Sequence, residues 1–221
     1  MTGPSRRAVL GGLAAAVACP AAGVEPLRRV LFVGNSFLRQ HDVPGRVAAL
    51  ARVGGRPIDS HAILRNGATL EGHLRHPALR QTLGWGWEVV VLQDFSTNAL
   101  FDDRRRRASE AVRLMQGMAR GAEIVLVTPW PRAPGHRLYE RAAAPGFAAP
   151  RTPADMARAN GEHAVALSAD LGARVAPVAS AWVEAMAEGA DLHAADGYHA
   201  NPQGAALTAR VLWGSLSPLL P

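Results

Sequence analysis

Short apolar runs alternate along this chain with longer stretches of helical pattern. Residues 30–33 (Val-Leu-Phe-Val) form an uninterrupted apolar run that stops at Gly34; runs of this length bounded by turn residues mark strands buried on both faces. The pattern returns at residues 58–64, 88–92 and 124–127, and in shorter form at 174–178. Between these runs the sequence predicts helices over residues 43–52, 70–83, 104–120, 153–171, 179–188 and 202–216. The breakers agree with this plan. Gly54-Gly55 closes the first helix, Pro77 interrupts the second, and Pro202 suits a first helical turn, where a missing N–H is no loss. Strands alternating with helices predict repeated β-α units and a parallel sheet, an α/β fold.

Residues 128–153 carry six prolines together with Gly135 and Gly146, so regular structure is not expected there. A loop this long inside a compact domain is commonly functional. Because it starts where a strand ends, it is expected to wall a site, with Trp130 and Tyr139 offering surface to a substrate; a plain surface excursion is the alternative.

At 221 residues and 48% hydrophobic, one core suffices for one globular domain. The formal net charge of +6 would ordinarily suggest nucleic acid or an anionic membrane as partner. Two observations weaken that suggestion. All 24 basic residues are arginine in a chain rich in Ala and Gly, which reflects codon bias as much as a phosphate-binding face. The run Arg104 to Arg107 also follows Asp102 and Asp103 at a helix start, the arrangement of a solvated helix face. No nucleic-acid partner is expected.

Residues 1–25 read as an export signal and residues 26–221 as the folded domain. Paired Arg6-Arg7 precede a mildly apolar Gly/Ala-rich run through Val17, the arrangement of a twin-arginine signal with cleavage after Ala22. The run is shorter than the roughly 20 apolar residues that span a bilayer, so no transmembrane segment is expected in the mature chain. Cys19 after Ala16-Val17-Ala18 also resembles a weak lipoprotein box, which leaves lipid anchoring as an alternative to a periplasmic or extracellular product.

Chemistry is concentrated at two places. Gly34-Asn35-Ser36 delivers a hydroxyl where the first buried strand ends, a pattern that also serves as a turn with a helix N-cap. Near the other end stands Asp196-Gly197-Tyr198-His199. A serine hydroxyl needs an adjacent base, and that base needs an anion to fix its tautomer. Asp and His three residues apart on one turn can supply both, although an Asp before a helix more often only caps a turn.

Taken together, these blocks resemble the SGNH hydrolases, also called GDSL-like esterases. The similarity is greatest to a branch with Leu-Gln after its third strand, as in Leu92-Gln93, and Asp-Gly-Tyr-His near its end. The resemblance implies a three-layer α/β/α sandwich with a five-stranded parallel sheet in the flavodoxin-like order 2-1-3-4-5. It implies Ser36 as nucleophile, His199 as general base and then acid, and Asp196 as the orienting carboxylate. It also implies Gly67 and the backbone N–H of Ser36 as oxyanion-hole donors. The usual third donor, an Asn in a Gly-x-Asn-Asp block, is missing; Gln93 replaces it in the branch named above, with Asn98 as the alternative. Asn35 stands where an Asp is more usual. No cofactor is implied, and relatives by resemblance act on acetylated sugars, lipids and small esters. With no long apolar lid in the sequence, short acyl groups on a polar, carbohydrate-like partner fit best.

Two other readings remain. His193, Asp196 and His199 recur every three residues and invite a divalent metal. An exported binding module that keeps the fold without turnover is the other, against which no triad residue is missing. His61, His73, His76, His136 and His163 are scattered and expected at the surface or in caps.

Overall fold

The structure is a computed structural model that describes residues 27–220; the expected export signal, with Arg6, Arg7 and Cys19, lies outside the described residues. Five strands, β1 (Arg28–Gly34), β2 (Ile58–Leu64), β3 (Val89–Gln93), β4 (Glu123–Val127) and β5 (Arg174–Ala176), form one sheet. All neighbours pair in parallel, in the order β2-β1-β3-β4-β5. The expected sheet and strand order are both present.

Apolar continuity explains the centre of the sheet. Val30, Leu31, Phe32 and Val33 of β1 and Val89, Val90 and Val91 of β3 are completely buried, because helices cover both faces and leave no polar face to alternate with. On one face, β1 and β3 pack through Val30, Phe32, Val89 and Val91 against α2 (Val43–Val53), α7 (Val178–Ala187) and α8 (Pro202–Leu216). On the other, Leu31, Val33, Val90 and Leu92 meet α3 (Leu70–Leu74), α4 (Pro77–Leu83), α5 (Asp102–Met118) and α6 (Pro153–Leu171). The result is three layers.

Element boundaries follow local chemistry. Pro77 splits the expected 70–83 helix into α3 and α4, with Pro77 itself in the first turn of α4. α5 begins two residues before the expected position, since Asp102 and Asp103 suit the positive end of a helix. There they pair with Arg105 and Arg107 at 2.6 Å each, on an exposed face. β5 ends at Ala176 because Pro177 has no N–H to offer a ladder. No helix among the described residues is long and apolar enough to cross a membrane.

The proline-rich loop departs from expectation. Trp130 and Tyr139 present no surface to a substrate: Trp130 is completely buried and Tyr139 nearly so. Trp130 lies between Phe37 and Trp182, with ring centroids 4.1 Å and 4.5 Å away and planes within 9° and 3° of parallel. The Tyr139 hydroxyl donates to the Arg132 carbonyl at 2.8 Å. These aromatics hold the loop against the body of the protein, with large apolar area removed from water and each polar tip satisfied.

Candidate active site

Ser36 opens a short helix, α1 (Ser36–Arg39), directly after β1. Asn35 is its N-cap, and the Asn35 side-chain oxygen accepts from the Phe37 N–H at 3.1 Å. The Asn35 amide donates to the Ala68 carbonyl at 3.1 Å, a contact that an Asp could not make because a carboxylate has no hydrogen to give. The N-cap and the nucleophile turn are therefore one object here, and Asn35 ties it to the turn at Asn66-Gly67.

His199 reaches this turn from the far end of the chain. Its Nε2 stands 2.9 Å from Ser36 Oγ, placed to accept the hydroxyl proton. Its Nδ1–H donates to Asp196 Oδ2 at 2.6 Å. The other Asp196 oxygen accepts from the backbone N–H groups of Tyr198 and His199 at 3.0 and 2.9 Å, so Asp196 builds its own turn while it orients the imidazole. Desolvation pushes this carboxyl's pKa upward, but those two N–H groups and His199 outweigh it and hold it down to about 2. The turn is further secured where Trp130 Nε1 donates to the Tyr198 carbonyl at 3.0 Å and Ala133 N–H to the Gly197 carbonyl at 2.8 Å.

Ser36 and Gly67 line one cavity of about 150 Å³ together with His199, Ser96, Arg132 and Tyr198. Gly67 adopts φ +68°, a left-handed conformation that favours glycine. Neither the Ser36 N–H nor the Gly67 N–H has a hydrogen-bond partner among the described residues, so both remain available to an anion.

The expected third donor is not there. Gln93 is buried, and its Oε1 accepts from the Asn35 N–H at 3.0 Å while its amide nitrogen donates to the Asp94 carbonyl. Strand parity is the reason: Gln93 follows Val89 and Val91 onto the face beneath α1, not into the cavity. Asn98, the alternative, donates to Asp94 Oδ2 at 2.8 Å and lines an adjoining cavity with Gly67, Phe95 and Arg104. Asp94 in turn accepts from the Leu70 N–H at 2.9 Å, and burial raises its pKa. Side chains with donors that do line the Ser36 cavity include those of Gln40, Asn66, Ser96, Arg132 and Tyr198.

His193, Asp196 and His199 do not converge on a common point. His193 Nε2 donates to the Pro131 carbonyl at 2.9 Å, and its ring meets Trp182 edge-on, while His199 and Asp196 are committed to Ser36 and to each other. Among the described residues no three His, Cys, Asp or Glu side chains are grouped to hold a metal ion. His73 also differs from expectation: it is completely buried beneath the end of β1, where Nε2 donates to the Gly34 carbonyl at 2.7 Å and burial lowers its pKa. His136 does cap, its Nδ1 accepting from the Leu138 N–H.

No family model matches the sequence, and no curated protein does. Solved structures do. A protein from Slackia heliotrinireducens assigned to the SGNH hydrolases superposes with a TM-score of 0.65 at 28% identity, over 86% of this chain and 100% of that one. The chain belongs to the SGNH hydrolase superfamily. A lipase/acylhydrolase from Enterococcus faecalis shares the fold at TM-score 0.65 and 18% identity, over 88% of this chain and 98% of that one. So does a Geobacillus acetyl-xylooligosaccharide esterase, at TM-score 0.61 and 14% identity, over 87% of this chain and 94% of that one.

As in an open parallel sheet generally, this SGNH chain gathers its polar groups beyond the carboxyl ends of β1, β2 and β3, where strand order reverses. Sequence reading missed Ser96, Asn66 and Arg132. Ser96 sits three residues past the β3 end, where any polar residue is a candidate. Arg132 carried no signal, being one of 24 arginines in the chain.

Proposed function

We propose that this SGNH protein is a serine ester hydrolase working through an acyl-enzyme. The observation that carries the reading is His199, whose two ring nitrogens stand 2.9 Å from Ser36 Oγ and 2.6 Å from Asp196 Oδ2. Ser36 Oγ attacks the ester carbonyl as Nε2 takes its proton, and the developing oxyanion is met by the N–H groups of Ser36 and Gly67. His199 then returns the proton to the departing alcohol, and water repeats the sequence on the acyl-enzyme. Each such oxyanion donor contributes about 10²- to 10³-fold in turnover. Ser96 and Asn66, which line the same cavity, supply further donors.

Short acyl groups, acetyl above all, suit a cavity of about 150 Å³ whose rim is polar; a carbohydrate alcohol is the partner that such a rim would accept. We also place the protein outside the cytoplasm, on the strength of Arg6-Arg7 and the short apolar run behind them.

A fluorophosphonate probe should label Ser36 in the folded protein and leave Ser36→Ala unlabelled. Absence of labelling in folded wild-type protein would favour the binding-module reading. A chain-length series of nitrophenyl esters, run beside acetylated xylan, should show turnover falling as the acyl chain lengthens.

A further inference from the structure

Arg132 is the group at this site that the proposed reaction leaves unused. The residue is 7% exposed and lines the Ser36 cavity. Its Nη1 is buried with no hydrogen-bond partner, and no carboxylate lies within ion-pair distance of it among the described residues. What the guanidinium does have is aromatic: it lies 4.5 Å from the centroid of the Tyr198 ring and 5.7 Å from that of Phe37. Ring faces offset only part of what a buried cation loses in water. Asp196 is the acid whose charge reaches Arg132, but both of its oxygens are occupied by Tyr198 and His199.

The backbone that carries Arg132 is also tied down before any ligand arrives. The Arg132 carbonyl accepts from Tyr139, the Pro131 carbonyl from His193, and Ala133 N–H donates to Gly197. A desolvated guanidinium without a hydrogen-bond partner among the described residues, on a backbone already tied down and in the wall of the cavity that holds the serine, is a site suited to an anion.

We propose that Arg132 receives a carboxylate of the substrate, so that the preferred substrates are esters bearing a carboxylate close to the scissile bond. This rests on the serine-hydrolase reading for its chemistry, although the anion site itself does not. Guanidinium is the group that pairs with a planar carboxylate through parallel N–H bonds.

The test compares matched esters on the wild-type protein: mono-4-nitrophenyl succinate against its methyl ester for an acyl-side carboxylate, and 3-acetoxybenzoate against its methyl ester for an alcohol-side one. The anionic member of at least one pair should be preferred about 10- to 100-fold in kcat/KM, and Arg132→Gln should lose that preference. Arg132→Lys, which keeps the charge but not the planar fork, should retain part of it and serves if Arg132→Gln does not fold. Equal rates within both pairs, or a preference that survives in folded Arg132→Gln, would overturn the proposal. If neither ester is cleaved and Ser36 resists the fluorophosphonate, the esterase reading has failed. The anion site is then judged by whether monomethyl succinate, and not dimethyl succinate, raises the Tm of the wild-type protein.

Discussion

The backbone N–H of Asn35 donates to Gln93 Oε1 at 3.0 Å, which puts a buried amide from β3 directly beneath the turn that carries Ser36. Gln93→Ala should therefore act through stability and placement. It leaves the Asn35 N–H without a partner, at a cost of about 1 to 3 kcal/mol, and lowers Tm. Gln93→Glu keeps an acceptor for that N–H and should recover much of the placement. A Gln93→Ala protein with wild-type Tm but turnover reduced about 100-fold or more would instead mark Gln93 as an oxyanion donor.

Asp196→Asn should retain the fold and lower kcat by about 10³- to 10⁴-fold, because an amide in place of the carboxylate favours the wrong imidazole tautomer. Since the Asp196 carboxyl is held at about 2, it stays anionic throughout the working range. The acid limb of kcat/KM should then carry a single ionisation between pH 4 and 8. A limb with two protonations in that window would contradict this assignment.

Stability should respond to acid at a different residue. Burial, aided by Arg105, holds His163 down to about 4. Between the ordinary histidine value near 6.5 and 4, the unfolded chain binds a proton there that the folded chain refuses, so stability falls as pH drops through that interval. Tm measured from pH 7 to 4 should decline less in His163→Gln than in the wild type. Asp196 works in the same sense over a lower interval: its contribution is complete above about pH 4 and is lost only as pH falls towards 2.

Gly204 is the point at which α8 presses on the strand of loop that leads to His199. A Cβ there would stand 2.3 Å from the Leu192 carbonyl and 2.7 Å from the Trp182 ring. Gly204→Ala must push the loop or the indole aside, and overpacking of this kind costs about 1 to 3 kcal/mol. We expect a lowered Tm together with reduced turnover; wild-type values for both would show that the loop yields freely.

The fold was legible because its signals are local. Continuous runs at residues 30–33 and 124–127 need only their own composition to be read as buried strands, and Pro77 and Pro202 act on the residues beside them. The Asp196–His199 pair was legible for a related reason, since three residues of spacing in one turn already bring the groups together. Gln93 resisted because its direction depends on strand parity and on α1 lying above it. Trp130 resisted because the same aromatic at a strand end serves a pocket or a core, and the rings that claim it, Phe37 and Trp182, come from distant segments. For Arg132 the deciding fact is an unpaired Nη1, which no sequence displays.

The hydrogen bond from Ser36 to His199 joins positions 163 residues apart. During synthesis the first strand, its N-cap and its serine leave the ribosome long before the histidine has been made. Throughout that interval the hydroxyl has no base and is chemically an ordinary alcohol. A chain cut short anywhere ahead of residue 199 stays in that state however well its earlier β-α units pack. The pairing of hydroxyl and imidazole thus dates from the arrival of one late loop, and it marks a molecule whose translation has run through both ends of the sheet.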